Sequence, residues 1–144
     1  MKIKDEKAML AFGRKLASSL RPGDVITLSG PLSAGKTTLV RGLIAGLGHR
    51  GEVPSPSFAL VQPYEMLTPA IWHVDLYRVE DPSEIDELGL DDAETGVLLV
   101  EWPEHAGRET WSQALALSID VLDDGSRALT AQVPAAWEER WPLR

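Results

Sequence analysis

The sequence predicts a three-layer α/β domain whose sheet contains both parallel and antiparallel strands. Residues 24–29 form a short apolar, β-branched run, and a glycine-rich loop separates them from an amphipathic helical segment at 37–47. Residues 96–101 form an apolar run that ends in an acid, which is typical of a central parallel strand. Two late strands, 114–121 and 127–133, flank an Asp-Asp-Gly turn, which predicts an antiparallel hairpin. A parallel centre with antiparallel additions fits this pattern.

A helix is predicted to precede the first strand. Between residues 5 and 20 an apolar side chain recurs at every fourth position, and Pro22-Gly23 then ends the helix. The apolar positions are Ala8, Phe12, Leu16 and Leu20. The helix at 37–47 carries a similar stripe, formed by Leu39, Leu43 and Leu47. Both helices are therefore expected to bury one face against the sheet.

The middle of the chain predicts a second pair of strands. Residues 57–64 alternate between apolar and small or polar side chains, and residues 70–77 form the next strand. Since the connection between them is short, antiparallel pairing is the simplest arrangement. Asp81 and Pro82 then predict the N-cap and first residue of a short helix.

The length of 144 residues indicates one domain, 1–144, without repeats or linkers. Residues 135–144 form a C-terminal tail in which Trp137 and Trp141 are one helical turn apart. Two roles are open for them: docking a last turn onto the domain, or contacting a partner.

Composition excludes several classes of function. No cysteine is present, so disulfides, thiolate catalysis and zinc–cysteine sites are excluded. The N-terminal residues lack the apolar core of a signal peptide and no apolar stretch reaches membrane-spanning length, so a cytoplasmic location without membrane contact is expected. The net charge of −8 argues against direct, non-specific nucleic-acid binding. Arg41, His49 and Arg50 form a local basic group, for which the preferred interpretation is solvated charges at a helix end.

Gly30-Pro31-Leu32-Ser33-Ala34-Gly35-Lys36-Thr37 matches the phosphate-binding loop pattern G-x-x-x-x-G-K-[ST]. The strand before it and the helix after it supply the context that this motif needs, which makes the fold class that of a P-loop NTPase-like domain. Backbone N–H groups of the loop and the helix N-terminus are suited to surround a phosphate. Lys36 is expected to contact the β- and γ-phosphates, and the Thr37 hydroxyl to ligate Mg²⁺. The residues predicted to line the nucleotide are Leu32, Ser33, Ala34, Gly35, Lys36, Thr37 and Thr38.

A P-loop also needs acids at the carboxyl ends of neighbouring strands. Glu101 ends the apolar strand 96–101, and Asp75 lies near the end of strand 70–77. Each could instead be an ordinary N-cap or surface charge, but the P-loop favours a role at the phosphate site for both.

Ser57, in the segment Ser55-Pro56-Ser57-Phe58, lies at the distance from the P-loop where a nucleotide-sensing loop is common. A proline-stiffened turn with solvated serines is the alternative. His73 and Tyr77 share a strand face with Asp75 because alternate residues point the same way. Taken alone, a histidine at this position is more often a structural group than a ligand.

The motifs together resemble the TsaE (YjeE-type) ATPases. The P-loop is followed by Ser55-Pro56-Ser57-Phe58, by His73-x-Asp75-Leu76-Tyr77-Arg78, by Glu87-Leu88-Gly89-Leu90 and by Glu101-Trp102-Pro103-Glu104, in the order of that family. The P-loop is generic, whereas His-x-Asp-Leu-Tyr-Arg followed by Glu-Trp-Pro-Glu is highly specific. The resemblance covers nearly the whole chain.

This resemblance implies a bacterial accessory ATPase for the synthesis of N6-threonylcarbamoyladenosine at position 37 of tRNA. The implied protein partners are TsaB and TsaD, so that tRNA is met only indirectly, through their complex. Hydrolysis of ATP to ADP, with Mg²⁺ as cofactor, is then expected to reset the complex between turnovers. Intrinsic turnover is expected to be low, because P-loop proteins without a strong water-activating residue are slow alone.

The resemblance also assigns roles to individual residues. Lys36 and Thr37 are the phosphate and Mg²⁺ residues, Asp75 and Glu101 are the essential acids, and Glu101 contacts Mg²⁺. The remaining assignments are Ser57 as the switch-like hydroxyl, Trp102 close to the nucleotide, Arg127 as the nucleotide-contacting arginine and Met9 near the nucleoside, where many members have threonine.

Two residues of the loop depart from the usual family sequence Gly-Asp-Leu-Gly-Ala-Gly-Lys-Thr, namely Pro31 and Ser33. If position 33 requires a positive φ, serine there costs roughly 1 kcal/mol, which would weaken nucleotide affinity several-fold.

Two further function classes remain open. A small-molecule or nucleotide kinase would use the same P-loop, but the arginines that follow it are scattered and no lid-length insertion is present. A non-hydrolysing, ATP-gated adaptor is the second alternative. A GTPase is disfavoured because the chain contains no asparagine, which the guanine-reading Asn-Lys-x-Asp motif requires.

Overall fold

A seven-stranded mixed sheet forms the centre of the computed structural model, which describes residues 1–54, 56, 60–107 and 110–141, without the side chains of residues 91 and 92. The strands are β1 (Lys2–Ile3), β2 (Val25–Ser29), β3 (Val61–Tyr64), β4 (Ile71–Asp75), β5 (Val97–Glu101), β6 (Leu115–Val121) and β7 (Arg127–Gln132). Their order across the sheet is β1-β7-β6-β2-β5-β4-β3. The predicted α/β class with a mixed sheet is therefore confirmed.

The four central strands are parallel and the outer strands are antiparallel. β2 pairs in parallel with both β5 and β6, and β4 pairs in parallel with β5. The predicted antiparallel pairs are both present, as β3–β4 and β6–β7, and β1 adds an edge strand to β7. This arrangement brings the carboxyl ends of β2, β4 and β5 to one edge of the sheet, where an α/β fold places its ligands.

The second strand pair is shorter than predicted. The described part of the predicted strand 57–64 begins at Val61, because Leu60 has a φ of 65°, which does not continue a pleated strand. The strand predicted at 70–77 ends at Asp75. The Asp75 carboxylate accepts a hydrogen bond from the Tyr77 backbone N–H at 2.9 Å, and this turn ends the strand.

Two α-helices cover one face of the sheet. Helix α1 (Glu6–Ala17) begins after Asp5, whose carboxylate accepts the Ala8 N–H at 2.9 Å, and helix α2 (Lys36–Gly46) follows the P-loop. The helices pack closely because each presents a glycine at the contact. A Cβ on Gly13 would lie 2.2 Å from the Leu39 carbonyl oxygen, and a Cβ on Gly42 would lie 2.2 Å from that of Leu10.

The other face of the sheet is covered by 3-10 segments. The short helix predicted after Asp81 is a 3-10 helix, Pro82–Leu88, and two more such segments follow, Leu90–Thr95 and Pro103–Ala106. Trp72, Val74, Leu98 and Val100 alternate along β4 and β5 and pack beneath these segments. The predicted third layer is therefore present, and its segments are 3-10 helices.

The C-terminal tail packs onto the domain. Trp137 is 1% exposed within the 3-10 segment Ala135–Trp137, and the Trp141 ring packs edge-on against Phe12 with the ring centroids 6.1 Å apart. Arg140 pairs with the buried Asp24 at 2.7 and 3.0 Å. Of the two roles predicted for these tryptophans, the structure confirms docking. Within the described part of the chain, no helix combines the length and apolar character needed to cross a bilayer.

Candidate functional site

A cavity of about 770 Å³ lies above the P-loop, at the carboxyl edge of the parallel strands. The loop itself, the start of α1, the ends of β4 and β5, and the turn between β6 and β7 surround it. Among the predicted site residues, those lining the cavity are Met9, Leu32, Ser33, Ala34, Gly35, Lys36, Thr37, Thr38, Asp75, Glu101, Trp102 and Arg127. Ser57, the remaining predicted residue, lies outside the described residues. The fold therefore brings together most of the site predicted from separate motifs.

The backbone of the P-loop has the conformation that its glycines permit. Gly30 has a φ of 145° and Gly35 a φ of 111°, and a Cβ on Gly30 would lie 2.3 Å from the Ile119 carbonyl oxygen. Gly35 is the N-cap of α2 and supplies no side chain to its N–H groups. Because the first residues of α2 line the cavity, the unpaired N–H groups and positive dipole end expected at a helix N-terminus make the loop suited to bind an anion.

Lys36 lies at the base of the cavity and is almost fully buried. Its ammonium donates hydrogen bonds to the carbonyl oxygens of Gly30 and Pro31, the second at 3.1 Å, and lies 3.8 Å from the centroid of the Trp102 ring. Burial lowers the pKa of Lys36, and the negative charges of Glu101 and Glu104 oppose this shift. The cation is thus held inside the loop that a phosphate would enter, by carbonyl oxygens and an aromatic ring.

Thr37 and Glu101 form the centre of the oxygen-rich part of the site. The Thr37 hydroxyl donates to the Glu101 carboxylate, with oxygen–oxygen distances of 3.0 and 3.2 Å. Glu101 is 2% exposed, and His73 Nε2 lies 2.6 Å from its second oxygen. A hydroxyl and a carboxylate beside a phosphate-binding loop fit Mg²⁺, which takes one or two protein oxygens and completes its shell with phosphate oxygens and water. The described residues include no cluster of three or more His, Cys, Asp or Glu arranged to hold a metal alone.

Asp75 lies beside Glu101 because their strands are neighbours. The two residues are directly paired in the register of β4 and β5. Burial raises the pKa of the Asp75 carboxyl, the hydrogen bond from the Tyr77 N–H opposes this shift, and the charge of Glu101 adds to it. A buried carboxylate with a raised pKa is a suitable partner for the proton of an attacking water.

Trp102 follows Glu101 and turns its indole over the cavity. The residue has a φ of 60°, in the left-handed region, and its ring packs between Tyr77 and His105 with centroid distances of 4.9 and 5.7 Å. His105 Nδ1 is fixed by the Leu76 carbonyl oxygen at 2.7 Å. The strained backbone and the aromatic contacts together fix the indole against Lys36.

Met9 and Arg127 also line the cavity. Met9 is 2% exposed, and its Cε would lie 3.1 Å from a Cβ on Gly35. The Arg127 guanidinium donates to the carbonyl oxygens of Ala34 at 2.8 Å, Ser33 at 3.3 Å and Gly125. Arg127 therefore ties the turn between β6 and β7 to the P-loop.

Lys4, Asp5 and Glu6, at the start of α1, line the cavity, although no motif pointed to them. His73, for which the sequence favoured a structural role over that of a ligand, contacts Glu101 and is not among the residues that line the cavity. It lies on the face of β4 that also carries Asp75, as the strand alternation predicted.

Comparison with known proteins agrees with this site. The family model described as "Threonylcarbamoyl adenosine biosynthesis protein TsaE" matches residues 3–129. The Haemophilus influenzae protein named "tRNA threonylcarbamoyladenosine biosynthesis protein TsaE" is 39% identical over 129 residues, covering 85% of this chain and 82% of that protein. A Streptomyces coelicolor protein of the same name is 41% identical over 138 residues, covering 92% and 93%.

A solved structure shows the same architecture. The crystal structure of YdiB from Bacillus subtilis aligns with a TM-score of 0.79 and 32% identity, over 96% of this chain and 87% of that chain. The resemblance inferred from the motifs is confirmed, and the chain belongs to the TsaE family.

Proposed function

We propose that this protein is a Mg²⁺-dependent ATPase that supports the formation of N6-threonylcarbamoyladenosine in tRNA. The observation that carries the proposal is the contact between the Thr37 hydroxyl and the Glu101 carboxylate, beside the Lys36 ammonium and within the P-loop cavity. Membership of the TsaE family supports the tRNA-modification role. Since tRNA modification takes place where tRNA is handled, we propose a cytoplasmic location.

Each site residue has a separate role in the proposed transfer of the γ-phosphoryl group to water. The P-loop N–H groups and Lys36 bind the phosphates and stabilise the charge that develops on them. Thr37 and Glu101 would hold Mg²⁺, which would supply positive charge to offset that of the phosphates. Asp75 orients a water molecule whose oxygen attacks the γ-phosphorus, and it takes up the water's proton as the bond to the bridging oxygen breaks. The products are ADP and inorganic phosphate.

We propose that intrinsic turnover is low because Lys36 has competing partners within the protein. Its ammonium donates to two loop carbonyl oxygens and lies against the Trp102 ring. Productive binding of ATP would exchange these contacts for phosphate oxygens. We propose that the complex of TsaB and TsaD favours this exchange, and that hydrolysis then resets that complex. The net charge of −8 supports contact with tRNA only through these partners.

The direct test measures phosphate release from ATP by the purified protein with TsaB and TsaD, in Mg²⁺ and in EDTA. Glu101→Gln should fold normally, and its Mg²⁺-dependent rate should fall by about 100-fold or more. This is the upper end of the losses seen when residues around a bound metal are replaced. Glu139→Gln is the matched control, because Glu139 is exposed outside the cavity. An unchanged rate in Glu101→Gln would remove Glu101 from the site. Phosphate transfer to an added acceptor would favour a kinase, and ATP binding without turnover would favour an adaptor.

A further inference from the structure

The Glu101 carboxylate has a second buried partner that no motif-based role explains. His73 is fully buried on β4, and its Nε2 lies 2.6 Å from Glu101 Oε2. We propose that His73 is a positioning residue, which orients Glu101 so that Thr37 and Glu101 bind Mg²⁺ together. This inference rests on the proposed Mg²⁺-dependent function of the same site.

The hydrogen-bond pattern of His73 argues for this role. A carboxylate oxygen accepts, so His73 Nε2 carries the proton that is donated to Glu101. The other ring nitrogen, Nδ1, is buried and has no hydrogen-bond partner among the described residues. Glu101 is therefore the one polar partner that the described structure gives this ring.

The surroundings of His73 are otherwise those of a hydrophobic core. Ile71, two residues earlier on the same face of β4, and Leu99, the register partner of His73 on β5, are both fully buried. An aliphatic residue would fill such a position without burying an unpaired nitrogen, which destabilises a fold. The unpaired nitrogen of a histidine at this position lowers the stability of the fold. The contact with Glu101 gives a reason for a histidine to be present despite that loss.

The contact between His73 and Glu101 also affects Thr37, because Thr37 bonds to the same carboxylate. With Oε2 held by His73, Oε1 remains 3.0 Å from the Thr37 hydroxyl. The hydroxyl gives its single proton to the carboxylate, which leaves its lone pairs for a cation. Outer partners of this kind fix the orientation of metal-binding groups and commonly change metal affinity by about 10- to 100-fold when they are removed.

The test measures Mg²⁺ binding separately from nucleotide binding. An ATP analogue with a non-hydrolysable β–γ bridge is titrated by calorimetry into the protein in EDTA and across a series of MgCl₂ concentrations. His73→Leu should need about 10- to 100-fold more Mg²⁺ for half of the Mg²⁺-induced gain in affinity. Its affinity for the analogue in EDTA should stay within about twofold of wild type, because the P-loop contacts are intact.

Two amide variants, His73→Gln and His73→Asn, separate the positioning of Glu101 from the packing of the core. They also provide the test if His73→Leu does not fold. The longer amide of His73→Gln reaches the Nε2 position and should retain the wild-type Mg²⁺ requirement, whereas the shorter amide of His73→Asn should lose it. An unchanged Mg²⁺ requirement in both His73→Leu and His73→Asn would overturn the inference, as would equal losses of affinity with and without Mg²⁺. A wild-type protein whose affinity ignores Mg²⁺ would instead overturn the proposed function itself.

Discussion

The Lys36 ammonium lies 3.8 Å from the centroid of the Trp102 indole, so the lysine of the P-loop motif lies against an aromatic face. Cation–π contacts of this kind contribute about 0.5–2 kcal/mol, more when the cation is desolvated. Triphosphate binding should draw the ammonium away from the indole. The environment of Trp102 therefore depends on whether the phosphate site is filled.

We expect ATP to change the intrinsic fluorescence of the protein through Trp102. Trp102→Phe should abolish this change, although four of the five tryptophans remain. Trp111→Phe is the control, since Trp111 is partly buried against the hydrophobic cluster beneath the 3-10 segments and does not line the P-loop cavity. A fluorescence change that survives in Trp102→Phe and disappears in Trp111→Phe would contradict this account.

Ser33 adopts a left-handed conformation, with a φ of 63°. A serine in this conformation is strained in the folded protein, so its cost lowers the free energy of unfolding. Ser33→Gly should raise the free energy of unfolding by about 0.5–1 kcal/mol, because strain relief exceeds the added entropy of the unfolded chain. Urea denaturation measures it.

Ser18→Gly provides the opposite control for that experiment. Ser18 has a φ of −71°, and its hydroxyl donates to the Lys15 carbonyl oxygen at 2.8 Å. A glycine at this position gains nothing in strain and should destabilise the protein by about 0.5–1 kcal/mol. Equal effects of the two substitutions would argue against strain at Ser33.

Asp75 makes stability depend on pH in a predictable direction. Burial raises the pKa of its carboxyl in the folded state, with Glu101 adding to the shift. The folded protein therefore binds this proton more tightly than the unfolded chain, so stability is lost as pH rises from about 4 through the folded pKa. Asp75→Asn escapes this loss and should be more stable than wild type at pH 7, by about 0.5–2 kcal/mol.

Urea denaturation of Asp75→Asn and wild type at several pH values checks this expectation. The two proteins should converge in stability near pH 3, where the aspartate is protonated in both the folded and unfolded states. The variant should also lose ATP hydrolysis. Lower stability of Asp75→Asn at pH 7 would show that the ionised carboxylate stabilises the fold.

Arg140 fixes the C-terminal tail through a buried ion pair. It contacts both oxygens of Asp24, donates to the Ser19 carbonyl oxygen at 2.8 Å and stacks on Trp137 at 3.8 Å. Arg140→Ala leaves Asp24 buried without its charge partner and should cost about 3–5 kcal/mol. In thermal denaturation, the double substitution Arg140→Met with Asp24→Asn should recover most of this loss. A loss below about 1 kcal/mol in the single variant would show that the pair is effectively solvated.

Local patterns predicted most of the elements and the centre of the site. Apolar periodicity located α1 and α2, and the alternating and apolar runs together with the turn between the two late strands located six of the seven described strands. The P-loop motif identified Lys36 and Thr37 as site residues. The positions of Glu101 and Asp75 at strand ends predicted that both acids lie at the same edge of the sheet. These inferences succeeded because they depend on neighbours in sequence or on the common edge of a parallel sheet.

Features that depend on distant segments were not predictable. The edge strand Lys2–Ile3 is too short to carry a pattern, and its pairing with β7 is decided by the folded sheet. The segments that cover β4 and β5 are 3-10 helices, and Gly89, with a φ of 67°, separates the first from the second. The N-cap of the first segment, Asp81, was predicted correctly. The Arg140–Asp24 pair joins residues 116 positions apart, beyond the reach of local reasoning.

The most direct test of the central claim is the rate of ATP hydrolysis by the purified protein, alone and with TsaB and TsaD, beside Lys36→Ala. We predict slow turnover alone, a clear increase with the two partners, and no activity above background in Lys36→Ala. Turnover of tens per second by the free protein, or ATP binding without any response to TsaB and TsaD, would contradict the account of a partner-activated ATPase.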